Sequence, residues 1–370
     1  MRSHPRGGRT AMTRLRVGLV GAGWWARQTH LPELAGHPDA EVAAVCDPDG
    51  DRAAAAAQCG AVVVPDVDGV LAAGVDAVVV ATPHDEHAAA AEPCLAAGVD
   101  VLVEKPMTLD PGQAWRLVRI AAETGARLHT GFTYVHGGPA RRLRDLVRDG
   151  AVGDVTLLHA TFATAVHRLY RGQVGWQQVE ESAAVSSLPD TYAAPARGGG
   201  QLWAQSVHAV SLLLWVTGLV PRQVHAAMDA AGLAVDLSNA LTMTFTSGAV
   251  GTAASSGAVG AHDRRIEEYR VVGLDGHALL DTVAGRLQVV SARDGDADAT
   301  WPEKERNPVG APVRCLVDAA LGRAEVVADG TLGAWTTAVA WAAAEAARTG
   351  RPVDVPGPGA AAEPDDRADC

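Results

Sequence analysis

Short apolar runs alternate with stretches of helical periodicity through the first third of the chain. Arg16–Val20, Val42–Cys46, Ala61–Val64, Asp76–Ala81, Asp100–Glu104 and Arg127–Phe132 read as strands. Between them lie helical stretches near Trp25–Gly36, Gly50–Cys59, Val67–Ala73, Glu86–Ala97 and Pro111–Thr124. After its first residue the run DAVVVA at Asp76–Ala81 is apolar at every position, as in strands covered by helices on both faces. The alternation predicts βαβ units and a parallel sheet. Past about Gly137 the texture changes. Val155–Thr164, Val220–Met228, Ala240–Phe245, Val250–Ser255, Tyr269–Leu274, His277–Asp281 and Leu287–Ser291 are strand-like and joined by turn residues, which predicts a mostly antiparallel second sheet. Helices are expected at Pro139–Arg148, Val207–Thr217, Val313–Leu321 and Leu332–Arg348.

The first strand runs into Gly21-Ala22-Gly23-Trp24-Trp25-Ala26, a G-x-G-x-x-A turn. Gly21 permits a tight turn, Gly23 a close approach to a pyrophosphate, and Ala26 close packing of the helix on the sheet. The N–H groups that open the helix then face the phosphates. The second strand ends in Asp47, about twenty residues further on, where an acid can hydrogen-bond the adenosine ribose. Asp47 therefore predicts NAD, and Arg52, about one helical turn away, leaves NADP possible. Trp24 and Trp25 read as packing or as a cover for the cofactor loop.

The chain has 370 residues, 48% of them hydrophobic, enough for two domains. The expected division is 13–135 for dinucleotide binding and 136–355 for substrate and oligomerisation, with 1–12 and 356–370 disordered. Residues 1–12 are Arg-rich but no apolar segment follows, so a signal peptide is not expected. A net charge of −12 argues against nucleic acid or an anionic membrane as partner. No apolar run reaches the length of a membrane span. Cys46, Cys59, Cys94, Cys315 and Cys370 form no CxxC pattern, which fits reduced thiols in the cytoplasm. Of the 31 Lys and Arg residues only Lys105 and Lys304 are lysines. A lysine kept among so many arginines suggests chemistry that needs a deprotonated amine, which Arg cannot provide.

Glu104-Lys105-Pro106 follows directly on a buried strand, and ligands of open α/β sheets lie beyond the carboxyl ends of the strands. Lys105 should project into the cofactor crevice beside Thr82-Pro83, with Pro106 holding it extended. The ordinary alternative is a surface lysine near a strand end. Glu104, Thr82, Pro83 and His87 are expected around the cofactor. His84 and His87 with Asp85 and Glu86 suggest a metal, but no third ligand is apparent, and a polar helix start fits better. Tyr134 and His136 are candidate substrate contacts. Trp203 and Trp215 read as core, and Lys304 lies in a turn-rich stretch.

Taken together, GAGxxA, ATPxxxH (Ala81, Thr82, Pro83, His87), EKP, Gly131-Phe132 and Gly198-Gly199-Gly200…His208 resemble the Gfo/Idh/MocA oxidoreductases. The resemblance implies an N-terminal Rossmann domain and a C-terminal α/β domain on an open sheet that often mediates dimers or tetramers. It also implies that Lys105 lies near the nicotinamide and substrate oxygen and that His208 serves as acid/base. Read without the resemblance, His208 at the start of an apolar helix is a core or cap histidine. The chain departs from the family at Ala204, where an Asp is usual, and at Thr133 and Val135, where the family has Asn and Arg. Gln205, beside Ala204, can hydrogen-bond a substrate hydroxyl but cannot carry a proton.

The expected function is an NAD-dependent dehydrogenase of a polyol or keto-sugar substrate, with Lys105 and His208 assisting proton transfer. The alternatives are a redox-neutral, NAD-using glycoside-cleaving enzyme and a non-catalytic dinucleotide sensor.

Overall fold

A computed structural model describes residues 14–173, 190–260 and 264–359. Its first sheet contains β1 (Leu15–Val20), β2 (Ala40–Cys46), β3 (Val62–Val63), β4 (Ala77–Val80), β5 (Asp100–Val103) and β6 (Leu128–Thr130). They are parallel in the order β3-β2-β1-β4-β5-β6, the doubly wound order whose crevice opens between β1 and β4. Aspartates start three of the crossover helices. Asp49, Asp66 and Asp110 accept N–H bonds in the first turns of Gly50–Ala56, Val67–Ala72 and Pro111–Thr124.

The second sheet holds β7 (Val155–Ala163), β8 (Pro221–Asp229), β9 (Ser238–Phe245), β10 (Val250–Ser256), β11 (Ile266–Gly273), β12 (Gly276–Asp281), β13 (Arg286–Ser291), β14 (Ala297–Thr300) and β15 (Val353–Asp354). Its order is β14-β13-β12-β11-β7-β10-β9-β8-β15, antiparallel except for the β7–β10 pair. One face carries Leu158, Phe162, Tyr269, Val271 and Leu280 against Leu212 and Leu213 of the helix Val207–Thr217. That helix is buried nearly throughout, as its continuous apolar sequence requires.

Packing does not follow the expected division at 135/136. Val313, Leu316 and Val317 of the helix Ala311–Ala320 share a core with Val17, Leu19, Val79 and Leu102 on one face of the first sheet. On the other face, Ala334 of the helix Gly330–Thr349 packs with Val80, Val103 and Leu117. The chain thus returns from the second sheet to complete the first.

Two expectations at the C-terminal end change. Residues 356–359 are held: the Trp115 indole donates to the Pro356 carbonyl at 3.0 Å, and Gly357 lies against Trp335. Residues 1–12 and 360–370 lie outside the described residues. Lys304 sits on a one-turn helix, Glu303–Arg306, where a turn-rich stretch was expected.

Candidate active site

The glycine turn closes as its sequence demands. Gly21 has φ +88°, and its N–H donates to the Cys46 carbonyl at 2.9 Å. A Cβ there would stand 2.6 Å from the Ala81 carbonyl oxygen, so only glycine lets β1 and β4 end side by side. Gly23 faces open space, with nothing within 4 Å of a built Cβ. Asp47 Oδ2 accepts the Ala22 N–H at 2.7 Å, and Oδ1 accepts the Asp49 N–H at 2.8 Å. Arg52 binds the same Oδ1 through Nε and Nη2, at 3.1 and 2.8 Å. Arg52 therefore steadies Asp47, with a further contact to Asp49 at 3.3 Å.

Glu104 stands elsewhere than expected. Its carboxylate is buried and accepts from Trp25 Nε1 and His30 Nε2, both at 2.9 Å on Oε1, and from the Lys105 N–H at 3.1 Å on Oε2. Burial opposes its charge, but His30, the Lys105 ammonium and the Lys105 N–H outweigh burial and hold the carboxyl below its ordinary range. A Cβ at Gly131 would lie 2.7 Å from this carboxylate, which explains the glycine before Phe132. Glu104 thus ties the glycine-loop helix to the end of β5. His30 carried no signal in the sequence. It reaches Glu104 because Ala26–His30 forms a wide π-helical turn.

His87 is likewise a strut. It is fully buried, with Nδ1 facing the Pro106 carbonyl at 2.8 Å and Nε2 facing the Thr82 carbonyl at 3.0 Å. A neutral ring can donate to only one of them, and burial holds its pKa below the usual value. The Thr82 hydroxyl oxygen is buried without a partner. His84 contacts the Gly198 carbonyl at 3.1 Å, while Arg197 binds Asp85 and Glu86, so this loop is latched to the second sheet's domain. Among the described residues no cluster of three metal-ligating side chains occurs.

Lys105, joined to Pro106 by a cis peptide bond, spans the crevice. Its ammonium donates to the Ala204 carbonyl at 2.9 Å. Burial pulls its pKa down to about 8, against the opposing pull of Glu104. His208 lies nearby, 8% exposed, stacked on Phe162 at 5.9 Å and edge-on to Tyr134 at 5.3 Å. Its Nδ1 has no protein partner. Burial, and then the charge of Lys105, push its pKa well below the usual value, so the ring is neutral near neutral pH.

Ala204 itself faces a small core of Val166, Leu169, Tyr170, Val235 and Leu237. Ala204→Asp would put a carboxylate among these side chains and is expected to cost about 3–5 kcal/mol. The check is the urea midpoint; an unchanged midpoint would mean that the new side chain escapes this core. Gln205 is buried beside it. Tyr134 lines the His208 ring, but its hydroxyl donates to the buried Glu267 at 2.9 Å. His136 is buried, with Arg141, His129 and Arg314 around it, and burial first, then these charges, pull its pKa down to about 3. The Tyr134 ring thus stands beside His208 with its hydroxyl held by Glu267, and His136 lies among basic side chains. Trp24 packs on Trp25 with centroids 6.1 Å apart, and Trp215 belongs to the core as expected.

A family model described as an oxidoreductase family with an NAD-binding Rossmann fold matches residues 15–132. The GFO/IDH/MocA C-terminal domain model matches 140–278. A dTDP-3,4-didehydro-2,6-dideoxy-alpha-D-glucose 3-reductase from Streptomyces violaceoruber is 38% identical over 150 residues, 40% of this chain and 44% of the relative. Inositol 2-dehydrogenase from Rhizobium meliloti is 32% identical over 148 residues, again 40% and 44%. The chain thus spans less than half the length of the curated relatives it matches. The crystal structure of GenD2 from gentamicin A biosynthesis, in complex with NAD, superposes with a TM-score of 0.76 at 26% identity, over 95% of this chain and 99% of that one. Two family models laid end to end, on a fold that carries their motifs in order, leave one assignment: the chain belongs to the Gfo/Idh/MocA oxidoreductase family.

Proposed function

We propose that the protein is an NAD-dependent oxidoreductase acting on a CH–OH group of a sugar-like or cyclitol-like polyol, or on the matching ketone. The observation that carries this reading is Lys105. Its amine reaches across the crevice from the end of β5 and has a pKa near 8, within range of a working acid/base. The names of the relatives, a sugar reductase and an inositol dehydrogenase, support the substrate class.

The residues present fit the cofactor. Gly21 lets the turn close against β4, Gly23 leaves room for a pyrophosphate, Asp47 presents a carboxylate at the end of β2, and the Thr82 hydroxyl lacks a protein partner. Bound NAD supplies the hydride chemistry. Lys105 accepts the hydroxyl proton when the substrate is oxidised and returns it when the ketone is reduced. Neutral His208 offers a ring nitrogen to the same substrate oxygen, and Gln205 a hydrogen bond to a neighbouring hydroxyl. General acid–base help of this kind is worth about 10²–10⁴ in rate.

The test follows nicotinamide absorbance over a panel of polyols and keto-sugars. Net turnover supports the reading, while product without net reduction, or tight NAD binding with no product, overturns it. NAD is expected to be preferred to NADP by about tenfold or more, because Asp47 repels a 2′-phosphate. Arg52→Ala should widen that preference by removing the charge that offsets Asp47. Equal kcat/KM with both cofactors would defeat this prediction.

The other face of the second sheet exposes Leu157, Val250 and Ile266 on the neighbouring strands β7, β10 and β11, and Val290 on β13, which supports a homodimer or homotetramer through that sheet. Cys46, Cys59, Cys94 and Cys315 are unbridged, which supports the cytoplasm as its compartment.

A further inference from the structure

We propose that Ser206, Asn239 and Asp236 form a positioning relay that seats the turn Leu202–Ser206, so that the Ala204 carbonyl holds the Lys105 ammonium. Leu202–Ser206 is a π-helical turn, with the Val207 N–H reaching back to the Leu202 carbonyl. Such a turn holds one residue more than the α-helix it leads into, and it is costly unless something fixes it. Here polar side chains do so from two sides. Asp236 Oδ2 accepts the Leu202 N–H at 3.0 Å and Asn239 Nδ2–H at 2.8 Å. Asn239 Oδ1 faces the Ser206 hydroxyl at 3.0 Å, with the Gln201 carbonyl a second acceptor for that hydroxyl at 3.2 Å. On the other side the Tyr170 hydroxyl donates to Gln201 Oε1 at 2.9 Å, and Gln201 Nε2 donates to Ser255 at 2.7 Å.

Ser206 and Gln201 are fully buried, and Asn239 is 6% exposed. Buried polar groups destabilise a core unless each is satisfied, so an apolar seat would serve a merely structural turn as well. What this turn carries is the Ala204 carbonyl, Gln205 and, one turn on, His208. Gly200 belongs to the same device: a Cβ there would meet Asp236 Oδ1 at 2.3 Å, so the carboxylate can press against the backbone only at a glycine.

The groups that face Lys105 are Glu104 on its own strand end, His84 from the loop after β4, and His208 and the Ala204 carbonyl from the second domain. Glu104 and the carbonyl favour the ammonium, while burial opposes it. A hydrogen bond to the charged form raises a pKa, so loss of the carbonyl must lower the Lys105 titration further.

The chain's two lysines make this readable without turnover. The full-length protein, labelled with ¹³Cε-lysine, should show two resonances, Lys105 and Lys304, each titrated by NMR. Ser206→Ala and Asn239→Ala should lower the Lys105 midpoint by about one pH unit, the scale of a lost hydrogen bond to a charged group. Lys304 should not move. Leu241→Ala, a core truncation on β9 outside the relay, should leave the Lys105 midpoint in place. An unmoved midpoint in folded Ser206→Ala, or an equal fall in Leu241→Ala, overturns the proposal. Ser206→Ala removes a single hydroxyl and decides the matter if Asn239→Ala does not fold. The inference rests on the role proposed for Lys105, yet its test does not. A moved midpoint with no turnover on any substrate would reject the oxidoreductase reading and leave the relay standing; the converse would reject the relay alone.

Discussion

Lys105→Arg and Lys105→Met should each lose about 10²–10⁴-fold in kcat while NAD affinity stays near that of the natural protein. Arg would restore a cation and hydrogen bonds to the Ala204 carbonyl, but it stays protonated and cannot accept the substrate proton. Met would keep much of the volume and lose the charge. Similar losses from both therefore identify proton transfer, whereas an active Arg variant identifies charge. The pH dependence gives the sign independently. Burial lowers Lys105 from 10.5 to about 8, so below about pH 8 the group is mostly ammonium and cannot act as a base. The rate of alcohol oxidation should rise through about pH 8 and level off above it, and ketone reduction should fall over the same interval. Titration of His208 cannot produce this rise, because burial and the Lys105 charge keep its ring neutral throughout that interval. NAD affinity should be spared because the glycine turn and Asp47 lie on β1 and β2, apart from Lys105 at the end of β5. Near-normal turnover by Lys105→Arg with an unchanged pH profile would make Lys105 an electrostatic group.

The strands of the first sheet and their parallel pairing were legible because the strands are short, largely apolar and separated by helix-length segments. The glycine turn was legible because Gly21 and Ala26 meet steric limits that few residues satisfy. β14, by contrast, is ADAT, with no apolar alternation to announce it, and β15 is two residues long. Both exist because a neighbouring strand edge was available to pair. The helix Ala311–Ala320 showed its apolar stripe, but no local pattern says that the stripe belongs to the first sheet.

The site divides in the same way. Lys105 stood out through its rarity and its strand-end position, and His208 only through the family resemblance. Glu104 was expected beside the cofactor, in the Glu104-Lys105-Pro106 segment that follows directly on a buried strand. Its partners, Trp25 just before a π turn and His30 at its end, lie 79 and 74 residues earlier, and side-chain periodicity does not record such a turn. The Ala204 carbonyl was least legible of all. Every residue has a carbonyl, so the group that meets Lys105 leaves no trace in residue type. The missing Asp looked like a gap in the site, whereas the alanine methyl packs in a core and the backbone beside it contacts the lysine.

Gly21→Ala and Gly23→Ala should fail in different ways, although the two glycines are a single residue apart. At Gly21 the backbone holds φ +88°, a conformation that costs a residue with a side chain about 1–3 kcal/mol. The added methyl would also stand 2.6 Å from the Ala81 carbonyl oxygen and 2.7 Å from the Thr82 nitrogen. Neither is the end of a flexible side chain, so β1 and β4 would have to part at their carboxyl ends. Gly21→Ala should therefore lower the melting temperature and weaken NAD binding together. Gly23 has no positive φ, and its methyl would enter open space. Gly23→Ala should keep the stability of the natural protein and lose NAD affinity on the order of 100-fold, equivalent to about 2.7 kcal/mol. The methyl would occupy the approach that a pyrophosphate needs beside the helix N-terminus. Thermal melts without cofactor, paired with NAD titrations by calorimetry, separate the two effects. If Gly23→Ala binds NAD as tightly as the natural protein, the pyrophosphate does not lie over this turn. The cofactor-binding role assigned to Gly21–Ala26 would then be wrong.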